Sequence, residues 1–146
     1  MIALEGKFSQ IKVDGKVYSI DDSMKIPFAM LTFFQADTTL ELNGNLDYEQ
    51  LIKFIDNQLP TKNIFYAIKI SGLFKYVKAR SVPKQEKPYP PITEAINKQA
   101  IFEFMDVNCT AVGFRIPDYF HSINDPGYHL HLITKDNKGG GHILQL

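Results

Sequence analysis

The sequence predicts an α+β fold made mostly of antiparallel or mixed β-sheet with few helices, the C-terminal part forming a partial β-barrel. Most apolar residues fall in short runs separated by turn residues, which is typical of strands joined by hairpins. Asp14-Gly15, between 8–13 and 17–20, predicts one such tight hairpin. A single clear change of period occurs at residues 51–59, where apolar side chains recur at helical spacing.

The elements of the first half follow from these signals. A strand is expected at Met30–Phe34, entered after Pro27. The helix is expected to begin at Asp47 as N-cap, with Gln50 completing a capping box, and to end at Pro60. A central strand at 64–70 is then expected to turn at Ser71-Gly72 into a strand at 74–82.

The second half begins with a proline-rich segment at 83–91, which cannot donate to a strand ladder. It is the inner boundary that we predict, giving an N-terminal mixed β-sheet domain at 1–82 with one main helix and a partial C-terminal β domain at 83–146. The elements expected after it are a short helix at 93–99 and strands at 101–104, 111–116, 128–134 and 142–146.

Composition excludes several classes of protein. The formal net charge is zero, which argues against binding to nucleic acid or to an anionic membrane. Cys109 is the only cysteine, so no intrachain disulfide can form, and its apolar surroundings predict a small buried side chain. No apolar run is long enough to span a bilayer and no signal peptide is visible, so a cytoplasmic protein is expected.

The segment Gly127-Tyr128-His129-Leu130-His131-Leu132 carries the clearest chemical signal. Residues two apart on a strand share a face, so His129 and His131 present two imidazoles side by side. The turn through Gly139-Gly140-Gly141 brings His142 onto the neighbouring strand. Three nitrogen ligands with open positions beside them are typical of a catalytic zinc site.

Alternative interpretations remain at this point. A His-x-His pair also occurs as ordinary packed or surface histidine, but three of the four histidines lie between positions 129 and 142. The fourth, His121, follows Asp118-Tyr119-Phe120 in a loop and is expected at the surface. A cupin-like metalloenzyme also uses His-x-His, although Lys135 and Asp136 stand where its glutamate would follow.

Several motifs together resemble the acetolactate decarboxylases. They are Arg80-Ser81-Val82-Pro83-x-Gln85-x-x-Pro88-Tyr89-x-Pro91, Thr110-x-Val112-Gly113-Phe114, Gly127-Tyr128-His129-Leu130-His131 and Gly140-Gly141-His142. Pro27-Phe28-Ala29 and Asn63-x-Phe65-Tyr66-Ala67-Ile68 agree in the N-terminal half. The similarity covers essentially the whole chain, in order and with matching gaps.

The resemblance implies a site and a reaction. The motif histidines of the family bind zinc, which carries over to His129, His131 and His142, and the arginine of the Arg-Ser-Val motif belongs to the active site, which carries over to Arg80. The substrate implied is 2-acetolactate, converted to acetoin and CO2 in acetoin and butanediol formation. Zinc would act as the Lewis acid that stabilises the enediolate, and Arg80 would add electrostatic stabilisation. Glu86 could orient Arg80, but a surface acid is the expectation for it.

The chain departs from the family at both ends. One active-site glutamate of the family would fall just before Met1 and a second beyond Leu146. The hypothesis is therefore a truncated chain that keeps the three histidines and Arg80 but binds metal with impaired turnover. Unpaired strand edges at both ends also predict association with another chain, most simply as a homodimer.

Overall fold

A computed structural model describes residues 1–26 and 28–146. Pro27, with its part in the Pro27-Phe28-Ala29 motif, lies outside the described residues. The elements in chain order are β1 (Ile2–Leu4), β2 (Lys7–Ile11), β3 (Val17–Ser19), α1 (Tyr48–Asp56), β4 (Tyr66–Ser81), α2 (Ile92–Asn97), β5 (Ala100–Ile116), a 3-10 helix (Asp118–Phe120), β6 (Gly127–Thr134) and β7 (Gly140–Gln145). The predicted α+β class, mostly antiparallel sheet with few helices, is confirmed.

The N-terminal strands form a small antiparallel sheet in the order β1-β2-β3. The β2–β3 hairpin is the one predicted from Asp14-Gly15, and its register pairs Ile11 with Val17. Asp14 accepts a hydrogen bond from the backbone N–H of Lys16, and Gly15 adopts a φ of 74°, which explains the glycine in this turn.

Helix α1 begins as its sequence predicts. Asp47 Oδ1 accepts from the backbone N–H of Gln50 at 2.8 Å, and Gln50 Oε1 accepts from the Asp47 N–H at 3.0 Å, so the capping box is complete. Leu51 is buried on the apolar face. The helix ends at Asp56, before the predicted Pro60, and Leu59 follows it.

The expected turn at Ser71-Gly72 is wrong, because β4 continues through both residues. Ser71 pairs with Thr110 and Gly72 with Cys109 on β5. The predicted strands at 101–104 and 111–116 are likewise one continuous β5. Each strand supplies the backbone partners that the other needs, so a dipeptide typical of turns stays extended.

The strand expected at Met30–Phe34 is also wrong, since these residues take no part in any strand that the structure describes. Their apolar, β-prone side chains favour extended backbone, but a strand also needs a neighbour to pair with. Leu31, Phe33 and Phe34 are all exposed.

Strands β4 to β7 surround the main core. β5 pairs with β4 and β6, and β7 pairs with β6 and returns to β4, so the ring of pairings closes. The enclosed side chains are Val77, Ala79, Cys109, Ala111, Leu130, Leu132 and Ile143. Cys109 is thus the buried small side chain that was predicted, and burial raises the pKa of its thiol to about 11. The domain boundary between residues 82 and 83 stays a prediction. Strand β4 lies before this boundary and pairs with β5 and β7, which lie after it.

Within the residues described, no helix is both long and apolar enough to cross a membrane.

Candidate metal centre

Strand β6 sorts its side chains onto two faces. Leu130 and Leu132 are 1% and 0% exposed and belong to the core, with Tyr128 packed against it. His129 and His131 therefore lie on the opposite face, as the period of two predicts. On that face Ile133 packs with Ile2 and Ile11 of the N-terminal sheet. The histidines consequently lie on the side of the closed sheet that β1 and β2 partly cover.

Strand register brings the remaining predicted site residues to this face. His131 of β6 is the cross-strand partner of His142 on β7, and His142 is in turn the partner of Arg80 on β4. Directly opposed residues of an antiparallel pair project to the same side. His131, His142 and Arg80 thus form a row across three strands, with His129 two residues away.

The three imidazoles converge on a common point. The Nε2 atoms of His129 and His131 are 3.0 Å apart, and the ligand atoms of all three histidines lie within 4.8 Å of one another. Two nitrogens bound to one tetrahedral zinc at about 2.0–2.1 Å would be roughly 3.3 Å apart. The three histidines fit a metal ion in donor type, and the His129–His131 pair also fits it in spacing.

Electrostatics keeps these imidazoles neutral. Burial is the largest influence and lowers the pKa of all three, to about 3 for His142 and well below the usual value for His131. The positive charge of Arg80 lowers each pKa further, while Asp125 opposes the shift at His129. Neutral imidazole is the form that binds a metal, so the three side chains have the protonation state that metal binding requires.

Arg80 is half-buried and held by an amide. Its Nη1 donates to Oε1 of Gln99, the residue just before β5, at 2.9 Å. Glu86, the residue considered as its orienting acid, is exposed, as expected for a surface carboxylate. The sequence does not indicate the contact with Gln99, because nothing in the spacing of residues 80 and 99 shows that their side chains meet.

A large cavity adjoins the histidines. Its volume is about 1140 Å³, and His129 and His131 form part of its wall together with β1, residues 24–26 and 28–34, and the strand ends near Ala67 and Gly113. Most of its other lining side chains are apolar. The site therefore opens onto space large enough for a small organic acid.

His121, the fourth histidine, lies apart from this group. It is exposed, as expected, and its Nδ1 lies 3.2 Å from the Asp118 carbonyl oxygen.

Two glycines let neighbouring backbones approach closely beside the histidines. A Cβ on Gly113 would lie 1.9 Å from the carbonyl oxygen of His129, and one on Gly141 would lie 2.9 Å from that of Arg80. Both residues belong to the sequence motifs, yet their role was not evident from the sequence, because close approach depends on which strands become neighbours.

A part-buried network of hydrogen bonds fixes the start of β6. Asp56 Oδ1 accepts from Tyr128 Oη at 2.7 Å and from Arg115 Nε at 3.3 Å, and Arg115 Nη1 donates to the Lys62 carbonyl at 2.8 Å. Burial alone would raise the pKa of Asp56, but hydrogen bonds from Lys62, Tyr128 and Arg115 lower it. The end of α1 is thereby joined to the residue that precedes His129.

The fold and the histidine group together describe a β-rich protein with a three-histidine site able to hold a metal ion. The family model described as alpha-acetolactate decarboxylase matches residues 1–146. The chain therefore belongs to the alpha-acetolactate decarboxylase family, as its motifs predict, which decides against the cupin-like alternative.

Curated relatives agree with this assignment. The chain is 49% identical to an alpha-acetolactate decarboxylase of Methanosarcina mazei and 47% identical to one of Brevibacillus brevis, in each case over 100% of the chain and 51% of the relative. The chain thus spans about half the length of the curated relatives it matches.

Solved structures extend the agreement to the fold. The alpha-acetolactate decarboxylase of Bacillus subtilis strain 168 superposes with a TM-score of 0.95 at 41% identity, covering 99% of this chain and 62% of that one. A Staphylococcus aureus protein of unknown function, described as similar to alpha-acetolactate decarboxylase, superposes with a TM-score of 0.93 at 30% identity, covering 97% and 61%.

Proposed function

We propose that this chain carries the metal-binding part of an acetolactate decarboxylase site, which converts 2-acetolactate to acetoin and CO2 in acetoin and butanediol formation. The observation that supports it most is the convergence of His129, His131 and His142, with ligand atoms within 4.8 Å of one another, beside Arg80. The reaction in this proposal is taken from the family to which residues 1–146 belong.

Zinc is the metal in this proposal. An all-imidazole donor set suits Zn²⁺ among several transition metals, and a site with three protein ligands leaves a position for substrate. When bound, zinc would supply Lewis-acid chemistry for the loss of CO2, and His129, His131 and His142 would hold it. The sheet of β4 to β7, closed by the pairing of β7 with β4, is the scaffold that holds the three histidines in this arrangement.

The chain's own residues bind and orient the substrate. Arg80 offers a planar guanidinium to the substrate carboxylate, and its charge also opposes protonation of the histidines. The apolar walls of the adjoining cavity suit the methyl groups of acetolactate and limit water near the reacting carbon.

Association as a homodimer is also part of the proposal. Exposed apolar side chains are concentrated between residues 28 and 42, including Phe28, Leu31, Phe33 and Phe34. Large exposed apolar patches are typical of surfaces that another chain covers.

The test measures bound zinc and acetoin formation on the same protein. We expect one zinc per chain, lost in His131→Asn but retained in His121→Asn, because only the first imidazole belongs to the converging group. Elemental analysis gives the zinc content, and a colorimetric acetoin assay gives turnover of acetolactate.

The possible outcomes separate the hypotheses. Zinc binding with acetoin formation supports the full proposal. Zinc binding without turnover supports instead the hypothesis of a metal-binding homologue with impaired catalysis. Equal zinc contents in His131→Asn, His121→Asn and the parent chain would overturn the assigned site.

A further inference from the structure

The side chain of Gln99 makes the hydrogen bond described for Arg80. Gln99 lies between α2 and β5, and its own backbone N–H donates to the Ile96 carbonyl at 3.0 Å. Gln99 and Arg80 are both half-buried, and the contact spans 19 positions of sequence. The short connection from α2 into β5 therefore places an amide oxygen beside the row of site residues.

Arg80 needs such a contact because its strand neighbours cannot orient it. Its partner on β5 is Ile101, whose side chain has no acceptor, and its partner on β7, His142, makes no side-chain hydrogen bond to it among the described residues. A free arginine side chain samples many rotamers, so a fixed guanidinium needs at least one acceptor from the protein. Only one of its nitrogens is engaged by Gln99, which leaves other donors for a ligand.

The chemistry of the acceptor matters as much as its position. Arg115, the only other arginine of the chain, is paired with the carboxylate of Asp56 at 3.3 Å, so its charge is locally balanced. Gln99 is neutral, and within the described part of the chain Arg80 forms no ion pair with a carboxylate. A carboxylate at position 99 would hold the guanidinium equally well but would compete with an incoming substrate carboxylate.

We propose that Gln99 is a positioning residue, whose amide oxygen fixes the Arg80 guanidinium beside the histidines while keeping its positive charge available to a 2-hydroxy carboxylate. The claim that a 2-hydroxy carboxylate binds at Arg80 rests on the proposed function. The claim that Gln99 positions Arg80 does not, since it concerns only two side chains of this chain.

The first experiment measures the reactivity of Arg80 directly. Phenylglyoxal modifies accessible guanidinium groups, and mass spectrometry separates the peptides that carry Arg80 and Arg115. In Gln99→Leu we expect Arg80 to react about fivefold faster, the factor expected from losing one hydrogen bond. Arg115 serves as the internal reference, and Gln58→Leu, at an exposed position after α1, serves as the matched control.

The second experiment separates position from charge. The zinc-loaded chain is titrated with 2-hydroxyisobutyrate, a 2-hydroxy acid without the ketone needed for decarboxylation. Gln99→Leu should weaken binding about fivefold through loss of one orienting hydrogen bond. Gln99→Glu should leave Arg80 protected from phenylglyoxal yet weaken binding at least as much, because its carboxylate occupies the guanidinium. With acetolactate, the same variants should raise KM more than they lower kcat.

The two measurements decide different claims. Unchanged Arg80 reactivity in Gln99→Leu would overturn the positioning role. The role of charge would be overturned if Arg80 became more reactive in Gln99→Leu while Gln99→Glu still bound the hydroxy acid with full affinity. If the parent chain binds no hydroxy acid, the proposed function fails, while the reactivity of Arg80 still decides the role of Gln99.

Discussion

At the scale of single residues, the three histidines combine neutrality with proximity. Burial lowers the pKa of each, with Arg80 adding to the effect. Such imidazoles bind protons only in acid, so protons compete weakly with a metal.

The first prediction concerns metal binding in mild acid. Three independent histidines of ordinary pKa would lose roughly a thousandfold in zinc affinity between pH 7.5 and 5.5. We expect the chain to lose less than about tenfold, because its lowered histidine pKa values keep the ligands neutral. Competition with a chromophoric chelator measures this, and a synthetic peptide of residues 127–143 is the unfolded control. Equal losses in peptide and chain would contradict the prediction.

The second prediction concerns the stability of the metal-free chain. In the unfolded state the histidines take up protons near pH 6.5, whereas His142 in the folded state does so at about 3. The unfolded state therefore binds more protons between these values, and the free energy of unfolding falls as pH decreases through them. Each such histidine contributes about 1.4 kcal/mol per pH unit.

Urea denaturation at intervals from pH 6.5 to 5 measures this slope. His142→Asn should make the slope shallower by about one histidine's share, about 1.4 kcal/mol per pH unit. His121→Asn replaces an exposed histidine and is the control. An unchanged slope in His142→Asn would show that the group titrates normally in the folded chain.

At the scale of elements, the position of β6 depends on its two neighbours. β5 approaches closely at Gly113, and α1 is joined to the start of β6 through Asp56 and Tyr128. These contacts orient the imidazoles, because the position of a strand's backbone sets the direction in which its side chains point.

The third prediction tests the close approach. In Gly113→Ala the added Cβ meets the His129 carbonyl oxygen, so β5 and β6 must separate. We expect a stability loss of about 1–3 kcal/mol, the usual cost of overpacking, together with weaker zinc binding. Gly72→Ala is the matched control on β4, since a Cβ there meets nothing within 4 Å. Equal stability and zinc affinity in the two variants would contradict this account.

The fourth prediction tests the anchor of β6. Tyr128→Phe removes a half-buried hydrogen bond to the Asp56 carboxylate, at an expected cost of about 1.5–3 kcal/mol. Tyr76→Phe removes a comparable bond to Glu103 in an exposed setting and should cost much less. Thermal or urea unfolding compares the two variants, and similar losses would mean that the Tyr128 bond has no special role.

At the scale of the whole molecule, the closed sheet and the small N-terminal sheet leave residues 28–42 largely uncovered. The chain superposes on a Bacillus subtilis relative with a TM-score of 0.95 while covering 62% of that chain. The arrangement of the described residues is thus shared with a considerably longer relative.

The fifth prediction concerns association. We expect the chain to self-associate at micromolar concentration, because exposed Leu31 and Phe33 gain free energy on burial. Leu31→Ser combined with Phe33→Ser should shift sedimentation velocity profiles toward monomer. Lys84→Ser, at an exposed polar position, is the control. A parent chain that sediments as monomer would contradict the prediction.

Local signals in the sequence determined much of this protein. The Asp47 capping box, the Asp14-Gly15 turn and the separation of His129 and His131 from Leu130 and Leu132 are confirmed because each depends on a few adjacent residues. The ordered motifs also established the family.

Only the tertiary structure decided features that depend on neighbouring strands. Ser71-Gly72 stays extended because β5 pairs with it, whereas Met30–Phe34 forms no described strand because apolar character alone supplies no partner. The row of His131, His142 and Arg80 likewise follows from register, and the contact from Arg80 to Gln99 follows from the route of the chain after α2. The two-residue periodicity of a strand specifies the face on which a side chain lies. The hydrogen-bonded register between strands distant in sequence specifies which other side chains it contacts.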